Sequence, residues 1–126
     1  MPTHNLFVRY DDQPSVTVAK TAGLEVSVEE AIPANSTNLQ IVGVTCDQSQ
    51  LKSVYLKSDK ALTLKTNSTG APQDTISLVA DSPIVWNDDM PAAACPFAGD
   101  VTALYVTEGA GVDANLVVKL LQDPTP

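Results

Sequence analysis

Apolar and polar positions alternate along this chain in runs of about five to eight residues, with turn signals roughly every eight to twelve positions, a spacing typical of a sandwich or barrel. A 3.6-residue period is nearly absent, so the pattern predicts strands and little helix. The expected strands are Ser15–Ala19, Leu24–Val28, Leu39–Thr45, Leu51–Lys57, Ala61–Thr66, Thr75–Ala80, Ile84–Trp86, Val101–Thr107 and Ala114–Leu121. In "SVTVAKTAGLEVSV" the alternation is strict on both sides of "KTAG", which reads as a hairpin whose Gly23 takes a positive φ. "LKSVYLKSDKALTLKTNS" reads as a second hairpin, turning at Ser58-Asp59-Lys60.

A looser version of that second unit returns as "VTALYVTEGAGVDANLVVKLL", in which Val101, Leu104, Tyr105 and Val106 repeat the offsets of Leu51, Val54, Tyr55 and Leu56. Internal duplication and convergent patterning both account for it. The expectation is an all-β, single-domain antiparallel β-sandwich, jelly-roll-like, spanning residues 15–121. Extended arms flank it at 1–14 and 122–126, since Pro124 and Pro126 cannot continue a central strand.

Two groups of large apolar residues fall outside the regular alternation. Leu6, Phe7 and Tyr10 lie in the N-terminal arm, where they serve either as handles for a neighbouring molecule or as part of a first strand. Trp86, Met90 and Phe97 lie on or near the long Pro- and Ala-rich stretch before Asp100, where they either plug the open end of the sandwich or dock on a partner.

Composition narrows the possible partners. The chain has 126 residues, a formal net charge of −8 and seven Lys and Arg residues, which are scattered in sequence. No basic stripe for nucleic acid can be drawn. No apolar run approaches the roughly 18–20 residues of a membrane span, and "MPTHNLFVRYDD" has neither the basic nor the apolar region of a secretory leader. Cys46 and Cys95 lack metal-ligand spacing and read as two free thiols.

Catalytic chemistry is hard to assemble from these residue types. The sole histidine, His4, is near the N-terminus, and neither cysteine has a histidine close in sequence. The doublets Asp11-Asp12 and Asp88-Asp89 lack the spacing of a calcium loop, and Gly109-Ala110-Gly111 joins two strands where a phosphate loop would open a helix. No cofactor and no metal are expected, and Asn35-Ser36-Thr37 and Asn67-Ser68-Thr69 read as polar turns.

The segments "VYLKSDKALTLKTNSTGAPQDTISL", "SPIVW", "PFAGDVTALYVTEGAG" and "LQDPTP" resemble a family of small structural proteins of tailed-bacteriophage virions, over residues 39–126 and more weakly before. The resemblance implies a non-enzymatic virion component with a β-sandwich and no catalytic residues to carry over. A strongly acidic protein suits the solvent side of a capsid better than the DNA side. The resulting expectation is a capsid decoration, or cement, protein on the virion surface, whose partners are the major capsid protein and copies of itself as a dimer or trimer. A tail tube, head–tail adaptor or other tail component is the alternative, and a glycan- or host-binding module using Trp86 and Tyr105 as stacking faces is a third reading.

Overall fold

A computed structural model describes residues 1–124. Ten strands follow in chain order: β1 (Thr3–Val8), β2 (Val16–Thr21), β3 (Leu24–Ile32), β4 (Leu39–Ile41), β5 (Leu51–Ser58), β6 (Leu62–Thr66), β7 (Thr75–Leu78), β8 (Ile84–Asn87), β9 (Leu104–Thr107) and β10 (Ala114–Gln122). Single 3-10 turns occupy Gln48–Gln50 and Ala92–Ala94. Strands β3 to β10 build two four-stranded antiparallel sheets, in the orders β3-β10-β5-β8 and β4-β9-β6-β7, while β1 and β2 form a separate ribbon. The all-β expectation is met.

The two sheets bury their facing sides against each other. Val54 and Leu56 of β5 lie opposite Leu120 and Val118 of β10, and these side chains meet Leu62, Leu64, Leu104 and Val106 of the other sheet in one cluster. Alternation sets this directly, because every second residue of a strand points to the same side. Each fully buried leucine contributes about 1.5–3 kcal/mol relative to exposure, so truncating Leu56 to alanine costs about 2–5 kcal/mol once the cavity is counted.

The expected hairpins are absent, and for one reason. β5 and β6 belong to different sheets, so Ser58-Asp59-Lys60 carries the chain across the sandwich as an arch. β9 and β10 are related in the same way, and the two arches lie side by side: β5 pairs with β10, and β6 with β9. Asp59 ties them together, its Oδ1 accepting the Asn115 N–H at 2.7 Å. The matched sequence offsets reflect matched burial, since Leu51, Val54 and Leu56 are as buried as Val101, Leu104 and Val106. "KTAG" likewise joins the ribbon to a sheet, and Gly23 has no positive φ.

Several strand limits also shift. The strand expected through Thr45 stops at Ile41, where a turn places Gly43 at φ 90 and exposes Val42. The one expected through Ala80 stops at Leu78, before a tight turn with Asp81 at φ 60. Val101 makes an isolated bridge to Cys46, and the strand proper begins at Leu104. β10 extends to Gln122, which is buried, and Asp123 N–H donates to Gln50 O at 2.9 Å. Of the tail expected at 122–126, residues 125 and 126 lie outside the described residues.

The sandwich has an internal correspondence that its sequence only hints at. Advancing each of β3, β4, β5 and β6 by four strands gives β7, β8, β9 and β10, and the same step turns the order β3-β10-β5-β8 into that of the opposite sheet. Among the described residues, every pairing in the two sheets joins a strand of the first four to one of the last four. The outer strands are guarded: β4, β7 and β8 are three or four residues long, and the nine-residue β3 carries Glu25, Glu29 and Glu30.

Candidate functional site

The N-terminal ribbon lies over the outer side of the β3-β10-β5-β8 sheet. Its register pairs His4 with Lys20, Leu6 with Val18 and Val8 with Val16, and alternation puts all six side chains on the side turned to the sheet. The cover runs out along the ribbon: Leu6 and Val18 are half-buried, whereas Val8 and Val16 are 46% and 55% exposed. Phe7 and Tyr10, near the ribbon's end, are 72% and 77% exposed. Residues 1–14 are thus one strand and the turn of a ribbon whose far end overhangs the domain.

Polar contacts hold the near end. His4 Nε2 lies 2.7 Å from Glu25 Oε2 on β3, and Nδ1 lies 3.1 Å from Ser53 Oγ on β5. Lys20 Nζ reaches Asp88 at 2.8 Å and Asp89 at 2.9 Å, with Lys52 Nζ also 3.3 Å from Asp88. Burial alone would raise the Asp88 pKa, but the hydrogen bonds and charges of Lys20 and Lys52 outweigh it and hold the carboxyl below its ordinary value. The same contacts with Asp88 and Asp89 raise the Lys20 ammonium above its usual value.

Between ribbon and sheet lies a cavity of about 590 Å³. Leu6, Val18 and Lys20 roof it; Tyr55, Lys57 and Lys119 form much of its floor. At one end the cavity meets His4 and Ser53.

Serine, histidine and carboxylate therefore do come together here, in the chain Ser53–His4–Glu25, although they are far apart in sequence. No local motif signals it; only the pairing of β1 with β2 carries His4 to the sheet. Ser53 lies inside a strand paired on both sides, opposite Leu121 and Asn87, and is 9% exposed. Ladder hydrogen bonds occupy that backbone, whereas an acyl-transfer nucleophile needs N–H donors free to hold an oxyanion. The three residues act as a clasp for the ribbon.

The other residues singled out from the sequence lie elsewhere. Trp86 and Phe97 are buried in the core, with Trp86 Nε1–H donating to Pro91 O at 3.1 Å, and Met90 packs half-buried beside them. Their burial leaves Trp86 and Phe97 little surface to offer a partner. Tyr105 is half-buried on β9, in the sheet opposite Trp86, so the two make no shared stacking face. Cys46 and Cys95 are both free thiols, and burial pushes the Cys46 pKa up to about 11. No group of three or more potential metal ligands occurs among the described residues, and no helix among them is long and apolar enough to cross a membrane.

A scan against protein-family models, a search of curated proteins and a search of solved structures each gave no match to this chain.

Proposed function

We propose that this protein is a non-enzymatic structural component of a tailed-phage virion, a decoration protein that attaches to the outside of the capsid through the overhanging end of its N-terminal ribbon. The observation that carries the reading is the concentration of Phe7, Val8, Tyr10 and Val16 on that overhang, while the remaining exposed large apolar side chains are scattered. A two-stranded ribbon also offers unpaired backbone edges, to which a capsid strand can add. We read the eight strands, two sheets of four in which every connection but β6 to β7 crosses between sheets, as a jelly roll, an architecture common in capsid and lectin domains. The acidic surface suits a solvent-facing position, and many weak attachments repeated over a shell reinforce one another.

The test is co-sedimentation of the full chain and of a Phe7→Ser/Tyr10→Ser double variant with undecorated heads. Both side chains are largely exposed, so the variant keeps the melting temperature of the parent. The expected result is binding by the parent and at least tenfold weaker binding by the variant. Failure of the parent to bind heads, with capping or polymerisation on tails instead, transfers the protein to the tail.

A further inference from the structure

The cavity beneath the ribbon gathers three of the seven cationic residues of the chain. The protein carries −8 overall and has only seven Lys and Arg residues, yet Lys20, Lys57 and Lys119 all line this one space. Lys20 is paired with Asp88 and Asp89. The side chains of Lys57 and Lys119 have no ion-pair or hydrogen-bond partner among the described residues.

The sheet register sets those two lysines beside each other. Lys119 lies opposite Tyr55, and Lys57 lies opposite Val117, so the ammonium groups spring from diagonal positions on adjacent strands. Such positions are about 7–8 Å apart at the backbone, within reach of one shared anion. Across the sheet Lys119 faces Ser27, a neutral residue; Glu29, the one acid lining the cavity, lies opposite Val117 and so diagonal to Lys119, and its carboxylate accepts the Asn115 amide at 3.1 Å. Lys57 is half-buried and Lys119 exposed, and an anion between these two like charges relieves their repulsion. The remaining lining offers a tyrosine ring and the amide of Asn87.

We propose that this cavity binds an acidic saccharide, a sugar ring bearing a carboxylate. Lys57 and Lys119 hold the carboxylate, the Tyr55 ring lies along an apolar side of the sugar, and the Asn87 amide reads a hydroxyl. The volume of about 590 Å³ falls within the range of small-molecule sites. The site is formed by the ribbon's near end and the sheet, so it is separate from the overhang assigned to capsid attachment.

The experiment is a calorimetric titration of the full chain with D-glucuronate and with N-acetylneuraminate, using D-glucose and inorganic phosphate as comparison probes at fixed ionic strength. Saturable binding of an acidic sugar is expected, at least tenfold tighter than that of glucose or phosphate. Lys57→Gln and Lys119→Gln should each weaken it about tenfold or more, while Lys65→Gln, on the other sheet, leaves it unchanged. Thermal melts confirm that all three variants fold. The proposal is overturned by no saturable binding of either acidic sugar, by phosphate binding as tightly, or by indifference to both substitutions.

Discussion

Glu108 sits at the start of the arch between β9 and β10, 1% exposed, with no ion-pair partner among the described residues. Its carboxylate is held by the loop's own backbone: Ala110 N–H donates to Oε1 at 2.6 Å and to Oε2 at 3.1 Å, and Val112 N–H donates to Oε1 at 3.4 Å. Glu108→Ala removes these bonds and leaves a void. A hydrogen bond to a charged group contributes about 1.5–3 kcal/mol, the Val112 bond is long, and residues 109–113 are exposed, so water can take up the freed N–H groups. The net expectation is a loss of about 2–3 kcal/mol, or roughly a 10 °C fall in melting temperature for a domain of this size. Glu108→Gln keeps one acceptor but buries an amide NH2 with nothing to receive it, so it should fall between the parent and the alanine variant. Urea unfolding followed by the fluorescence of Trp86, the only tryptophan and 5% exposed, measures both. An alanine variant within about 0.5 kcal/mol of the parent would falsify the account. So would a glutamine variant more stable than the parent, since the uncompensated charge would then cost more than its hydrogen bonds return.

Asp59→Ala, which unties the two arches at Asn115, should cost about 1 kcal/mol and add to the Glu108 effect in a double variant, as read in the same unfolding assay. Cys95 is half-buried and Cys46 is 7% exposed with its pKa near 11, so an aromatic disulfide reagent at pH 8 should label Cys95 first; equal rates would contradict the burial argument. Lys20→Ala should speed amide exchange in β1 and β2 while changing core stability by less than about 1 kcal/mol, because the lost ion pairs lie at the surface. Asp88 has a lowered pKa in the folded state, so its contribution is present at neutral pH and is lost as pH falls through that value; acidification should loosen the ribbon in the parent and change it less in Lys20→Ala.

Alternation identified which residues are buried more readily than which strands are neighbours. Leu62 and Leu64 are buried as their spacing suggests, yet the same spacing serves a hairpin and an arch equally well. A polar turn of three residues does not distinguish them, because the difference is a rotation of the strand about its axis, not a change of period. β1 was harder to see, since Phe7 interrupts the apolar phase set by Leu6 and Val8 and points the other way. The clasp of Ser53, His4 and Glu25 was illegible for a related reason: its three residues meet only after β1 has paired with β2 and the ribbon has folded over the sheet. The cavity's lysines looked scattered because Lys57 and Lys119 are neighbours only through the pairing of β5 with β10.

Because each sheet pairing joins one of β3 to β6 with one of β7 to β10, neither group of four can assemble a sheet by its own native contacts. During synthesis the first group must therefore emerge and wait, its apolar sides uncovered, until β7 and then β10 leave the ribosome. Such a topology leaves β6–β7 as the one pairing of consecutive strands among the described residues of the sandwich and makes folding slow for the chain's length. It also gives a natural place to divide the molecule: a cut in the segment between β6 and β7 yields two fragments with interlocking strands. Neither fragment should form a sandwich sheet alone, the first keeping at most its β1–β2 ribbon, and the two should restore the sandwich when mixed, as complementary halves of one fold.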